Sequence, residues 1–234
     1  MDAWLASSSC RECDMISDRR DFLSTMMGTV GVGATGVIDW TDFPVQQAAG
    51  HWDLSWVRKI GGKYRAVFDV AEIEDGFGVW RARVWRQQYS QIFGVSESSL
   101  GTVLILRSDA VALALNQDFW LGYDIGKRWN VHDPSTGQST ARNPVIDRTG
   151  PNALPTQFSG FALEDLMIGG TIVLVCALAL RDCAVLVSEK DKIPVEAADR
   201  RVKSMILPGL ILQPSGIFAA VLAQDNGCRY VRAS

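Results

Sequence analysis

The run TIVLVCALAL, residues 171–180, stops at Arg181-Asp182, and that stop constrains the chain more than any other feature. A membrane-spanning helix needs about 20 mainly apolar residues, so the surrounding segment 169–187 is too short and too interrupted to cross a bilayer. Its front half, Thr171 to Val175, is rich in β-branched residues, which suit a pleated strand. Its back half, Ala177 to Leu180, consists of strong helix formers. The spacing predicts a buried strand that ends near Cys176 and turns directly into a helix.

Strand and helix signals alternate along most of the chain. KYRAVFDV (63–70) reads as a strand, GVWRARVWRQQYSQIFG (78–94) as an amphipathic helix closed by Gly94, and GTVLILR (101–107) as a second strand. Residues 108–127 combine an apolar run with a helix. The Gly-, Pro-, Ser- and Asn-rich stretch 134–152 reads as an exposed loop. A short helix over 160–170 precedes the strand of the opening run; a helix (194–207), a strand (209–215), a helix (216–227) and a terminal strand from Cys228 follow. This order predicts an α/β fold, a three-layer α/β/α arrangement with a mostly parallel sheet of about five strands. With 47% apolar residues, 21% charged residues and a net charge of −3, the composition is that of a globular chain able to bury a core. Arg81, Arg83 and Arg86 sit at helical spacing among Trp80, Trp85 and Tyr89. They read as arginine stems lying over apolar surface rather than as a nucleic-acid patch.

The N-terminus has a different character. Residues 17–37, SDRRDFLSTMMGTVGVGATGV, place Arg19 and Arg20 ahead of Phe22-Leu23 and a weakly hydrophobic, Gly-rich run. The pattern resembles a twin-arginine export signal, S/T-R-R-x-F-L-K, from which Asp18 and Ser24 depart. That resemblance implies export through the twin-arginine pathway to the periplasm or another exported compartment. It divides the chain into a leader, 1–50, and a single domain, 51–234. Small residues at Gln47-Ala48-Ala49-Gly50 stand at a distance suited to cleavage, without an A-x-A site.

Cysteine and histidine usage narrows the chemistry. Cys10 and Cys13 form a C-x-x-C in the polar leader, outside the βαβ context of a redox motif. His51 and His132 are the only histidines, no G-x-S-x-G is present, and no Cys or His set has zinc spacing. Neither a hydrolase nor a metal site is expected, nor any cofactor, and Asp133 beside His132 reads as part of a surface turn. Beyond the leader stand Cys176, Cys183 and Cys228, an odd number for an oxidising compartment, so at least one thiol is free, reactive or paired between chains.

Open parallel sheets bind ligands outside the carboxyl ends of their strands. The residues predicted there are Asp69, Arg107, Ser108, Asn116, Cys176, and Gln213 through Gly216. Of these, Cys176 alone joins a nucleophile to that location, at the start of a helix. Asp69, Asn116, Gln213 and Ser215 are the candidate ligand-binding residues around it.

TIVLVCALAL followed by LPGLILQPSGIFAAVLAQDNGCRYV resembles the C-terminal half of the DsrE/DsrF-like superfamily: a strand ending in Cys, a helix, a strand running into P-S-G, and a final helix. The likeness covers about residues 60–232. WDLSWVRKIGGKYRAVFDV and NPV are similar to an exported branch of that superfamily. The resemblance implies a three-layer α/β/α domain that assembles into trimers or hexamers, and a Cys, here Cys176, that carries a persulfide to or from a partner protein. Cys228 lies outside the relay pattern and leaves open a disulfide with Cys176 or Cys183. The expected function is a sulfur-carrying or redox-active thiol at Cys176 in an exported protein. The alternative is a non-catalytic oligomeric binding or assembly subunit that uses the same strand-end pocket for a small ligand or partner, with loop 134–152 and helix 78–94 supplying contacts.

Overall fold

The computed structural model describes residues 52–133, 136–146 and 160–234. Arg19, Arg20, Cys10, Cys13, His51 and the whole expected leader lie outside them, as does part of the expected loop 134–152. Five strands form one all-parallel sheet: β1 (Arg65–Val70), β2 (Gly101–Leu106), β3 (Ile172–Cys176), β4 (Ile211–Gln213) and β5 (Arg229–Arg232), in the order β4-β3-β2-β1-β5. All six residues of β2 are buried, as a central strand covered on both faces requires. At one edge, β5 is short and turns Arg229 and Arg232 to solvent, which discourages pairing with another strand.

Alternation along each strand divides the core into two layers. Phe68, Val70, Leu104, Leu106, Val173 and Val175 pack toward helix α1 (Phe77–Phe93), helix α5 (Ala177–Asp191) and helix α6 (Val195–Ser204). Val67, Val103, Ile105 and Leu174 pack toward Ala219, Ala220 and Ala223 of helix α7 (Gly216–Asp225) and toward Trp56. The alanines let α7 lie close against the sheet. Trp56, wholly buried in the 3-10 turn Ser55–Lys59, completes the same layer. The observed three-layer α/β/α architecture agrees with the alternation of signals in the sequence.

The end of the first long helix agrees with the sequence reading, and the elements ahead of β3 differ from it. Helix α1 ends at Phe93 because Gly94 takes a left-handed φ of 64°. The apolar run after β2 forms a 3-10 turn, Ser108–Ala114, followed by the short helices α2 (Gln117–Gly122) and α3 (Ile125–Arg128). Ahead of β3, helix α4 (Leu163–Ile168) is shorter than the stretch 160–170 suggested. No helix among the described residues is long and apolar enough to cross a membrane.

Arg86 corrects one expectation. Instead of lying over apolar surface it is 1% exposed, and its guanidinium donates to Thr102 Oγ1 (2.8 Å) and to the carbonyls of Glu97 (2.7 Å), Leu100 and Gly169. Four acceptors converge on one helix position, and a planar fork of N–H donors satisfies them together. Burial lowers the pKa of Arg86, and the nearby Glu97 carboxylate opposes that shift. Arg83 pairs with Glu97 and Arg81 with Glu74, so all three arginines have protein partners.

Candidate functional site at the ends of β3 and β4

Cys176 is the last residue of β3 and the N-cap of α5. Its Sγ accepts the backbone N–H of Ala179 at 3.3 Å. A side chain in this position satisfies one of the donors that every helix leaves open at its start. The residue is 5% exposed.

The neighbouring strand supplies a second polar group. Gln213, the last residue of β4, is the register partner of Cys176 and is fully buried. Its Nε2 donates to the carbonyls of Asp53 and Leu212, both at 2.9 Å, while its Oε1 has no hydrogen-bond partner. Two residues later, Ser215 caps α7, with its Oγ accepting the N–H of Phe218 at 3.0 Å. From β3 the chain enters α5 in one layer, and from adjacent β4 it enters α7 in the other. Adjacent strands whose connections leave on opposite sides open a crevice between them, the usual ligand position in parallel sheets. Cys176 and Gln213 end the two strands at this divergence.

Asp69 serves a different cluster. It lies within β1, and its carboxylate takes a bidentate contact from Arg107 (Nε to Oδ1 2.6 Å, Nη2 to Oδ2 2.8 Å) and the hydroxyl of Tyr230 (2.6 Å). The pairing raises the pKa values of Arg107 and Tyr230, in each case first through the hydrogen bond with Asp69. The stem of Arg107 passes over the first residue of α7: a Cβ at Gly216 would sit 2.6 Å from Arg107 Cδ. Asp69, Arg107 and Tyr230 therefore clasp β1, β2, β5 and the start of α7 together.

Asn116 caps a different helix from Cys176. Because the preceding run curls as a 3-10 turn rather than extending as a strand, Asn116 follows no strand end. It caps α2 by accepting the N–H of Phe119 at 3.1 Å, and its own N–H donates to Met205 O, on the segment that leads into β4. His132 likewise stands apart: its N–H donates to Asp75 Oδ1, and Asp133 closes the adjacent turn.

The remaining cysteines are buried free thiols. Cys183 lies on α5 seven residues past Cys176, and burial, then Asp182 and Asp109, push it up to about 12. Cys228 packs in the opposite layer, just ahead of β5, and burial raises it as well. A disulfide needs Cα atoms within about 7 Å. Cys176 stands at the carboxyl end of β3 and Cys228 at the amino end of β5, on the other side of the sheet, so the pairing left open by the sequence does not form.

Among the described residues, no three His, Cys, Asp or Glu side chains gather in a way that would hold a metal ion. An open cleft of about 560 Å³ lies at the far end of α5, between Tyr123, Lys127 and Arg128 on one side and Leu186, Glu189 and Lys190 on the other. It is lined by no cysteine or serine, and Lys190 is paired with Asp124 at 2.9 Å. At 1.5 Å per residue it is about 15–20 Å along the helix from Cys176.

Sequence reasoning missed Tyr230, Asp53 and the open acceptor of Gln213. Tyr230 reaches Asp69 because β5 lies beside β1, a neighbourhood that no local pattern announces. Only the polar Gln at the end of an apolar strand hinted at the third. No protein-family model and no curated protein matches the chain.

Proposed function

We propose that this chain is an exported member of the DsrE/DsrF-like superfamily in which Cys176 carries sulfane sulfur. The observation that supports the reading is the cysteine at the β3 to α5 junction, with an N–H donated to its sulfur and the adjacent strand diverging to the other layer. In the step envisaged, the Cys176 thiolate attacks the outer sulfur of a persulfide R–S–SH. A new S–S bond forms at Cys176, the old S–S bond breaks, and R–S⁻ leaves with the electron pair. Cys176–S–SH then hands its outer sulfur to an acceptor thiolate by the same exchange. Cys183 is a poor substitute, because burial keeps it protonated at neutral pH.

Intact-mass spectrometry after exposure to excess inorganic polysulfide tests the reading. Wild type gains one sulfur, about 32 Da, and Cys176→Ser does not. An unchanged wild-type mass, or an adduct that persists in Cys176→Ser, overturns it.

The second reading, a non-catalytic oligomeric assembly subunit, is favoured by α1. It leaves Trp80, Ile92 and Phe93 exposed, with Trp80 edge-on to Phe77 and tilted against Phe161. Exposed aromatic and aliphatic groups on one helix suit contact with another subunit. Sedimentation at micromolar concentration distinguishes the two: an oligomer whose assembly and partner binding are unchanged by Cys176→Ala favours the assembly role.

A further inference from the structure

We infer that the outward face of α7 is covered in solution by a second copy of this chain, the two α7 helices packing antiparallel about a two-fold axis that passes between Ile217 and Val221. Residues 216–223, GIFAAVLA, carry no polar side chain. Gly216, Ala219, Ala220 and Ala223 turn inward and are buried, with Leu222 packed beside them. Ile217, Phe218 and Val221 turn outward and are 72%, 40% and 52% exposed. A helix that is apolar on every side is normally enclosed. Helix α1 differs, because Arg81, Gln88 and Gln91 stand exposed among its exposed Trp80, Ile92 and Phe93.

Topology leaves this face thinly covered. The crossover from β4 to β5 carries α7 from one edge of the sheet to the other, and the turn Ser55–Lys59 is the other element on that side. The remaining described helices pack on the opposite face. Five strands of up to six residues make a face of roughly 20 by 25 Å. With the relief of its side chains added, such a face offers on the order of the 800 Å² per partner that a stable interface buries. Leu54 and Tyr230, exposed on either side of α7, extend the apolar surface across it. A two-fold pair sets this one patch against itself.

Charge selects the antiparallel arrangement. Ile217, Val221 and Asp225 follow one another four residues apart along the exposed side of α7. Antiparallel packing sets each Ile217 against Val221 of the partner subunit, and Asp225 of the partner subunit then lies just beyond the start of α7, where the helix presents the positive end of its dipole. At that end of the same face Asp53 lies near Arg58 and Lys59, Asp69 binds Arg107, and Arg232 donates to Ser234 O, so cations outnumber carboxylates. At the carboxyl end of α7, Arg65 donates to the carbonyls of Gly62 and Asn226, and Asp225 is exposed. Parallel packing would instead bring the two Asp225 carboxylates together.

Sedimentation equilibrium of the full chain over a range of concentrations tests the inference, with circular dichroism confirming that each variant is folded. Wild type forms a dimer at micromolar concentration. Val221→Glu, at an exposed position, raises the dissociation constant at least about thirtyfold, the loss expected at an interface hot spot. Asp225→Lys, outside the apolar stripe, also weakens the dimer, whereas Ile92→Glu on α1 leaves it unchanged. A monomeric wild type overturns the inference, whether α7 then meets a different protein or a lipid surface, and a trimer overturns the two-fold. A dimer that survives Val221→Glu but dissociates with Ile92→Glu overturns the α7 contact while the assembly role of α1 stands. A dimer indifferent to Asp225→Lys overturns the antiparallel packing.

Discussion

Replacing Gly216 by alanine sets two opposed effects against each other, and the structure decides between them. Alanine is the better helix former by up to about 1 kcal/mol, so at an unobstructed position in α7 the change would stabilise the fold. Here the added Cβ would lie 2.6 Å from Arg107 Cδ, 2.8 Å from its Cβ and 3.1 Å from its Cγ. Contacts that short require movement, and because one of them is to a Cβ, side-chain rotation alone does not relieve it. Forcing an extra methyl into a packed site costs about 1–3 kcal/mol. Displacing Arg107 also loosens its hold on Asp69, so the net expectation is a destabilisation of about 1–2 kcal/mol, or about 2–8 °C in Tm for a chain of this size. Urea denaturation of a double-mutant cycle with Arg107→Ala checks the cause. Removing the Arg107 stem eliminates the Cδ and Cγ contacts, so Gly216→Ala costs less in that background. A neutral or stabilising Gly216→Ala, or the same cost in both backgrounds, refutes the reasoning.

Two further outcomes follow from buried groups. Because the folded-state pKa of Cys183 is raised from 9.0 to about 12, its protonated form is favoured by folding, and that contribution is complete below about pH 9 and lost as pH rises toward 12. Between pH 8 and pH 10 wild type should lose about 1 kcal/mol more stability to urea than Cys183→Ala; equal losses contradict the burial argument. Arg86→Lys replaces a planar fork with a point charge that cannot reach four separated acceptors, and should cost about 2–4 kcal/mol by thermal denaturation despite preserving charge. A change below about 0.5 kcal/mol would mean that the carbonyls of Glu97, Leu100 and Gly169 need no common donor.

The opening run shows how much of the site was legible. β-branched residues followed by alanine and leucine place a strand-to-helix switch at Cys176, and the observed boundary between Cys176 and Ala177 falls there. Ser215 ahead of α7 and Gly94 after α1 are equally local signals, since each satisfies or ends its own helix. The three arginines of α1 were less informative. Their spacing is the same whether a guanidinium meets water or four buried acceptors, and only the approach of Glu97, Leu100, Thr102 and Gly169 makes Arg86 an interior residue.

What the sequence determined by itself is whatever depends on neighbours a few residues apart: the alternation of strands and helices, the α/β class, the absence of room for a membrane span in 169–187, and the cysteine at a helix start. Tertiary structure alone decided the strand order that sets Gln213 beside Cys176 and Tyr230 beside Asp69, and the turn that seats Trp56 next to α7. It alone placed Cys228 across the sheet from Cys176. The physical reason is that periodicity and capping are short-range, whereas pairing between strands is settled by the shared burial of two faces, a property of the assembled sheet and of no single segment.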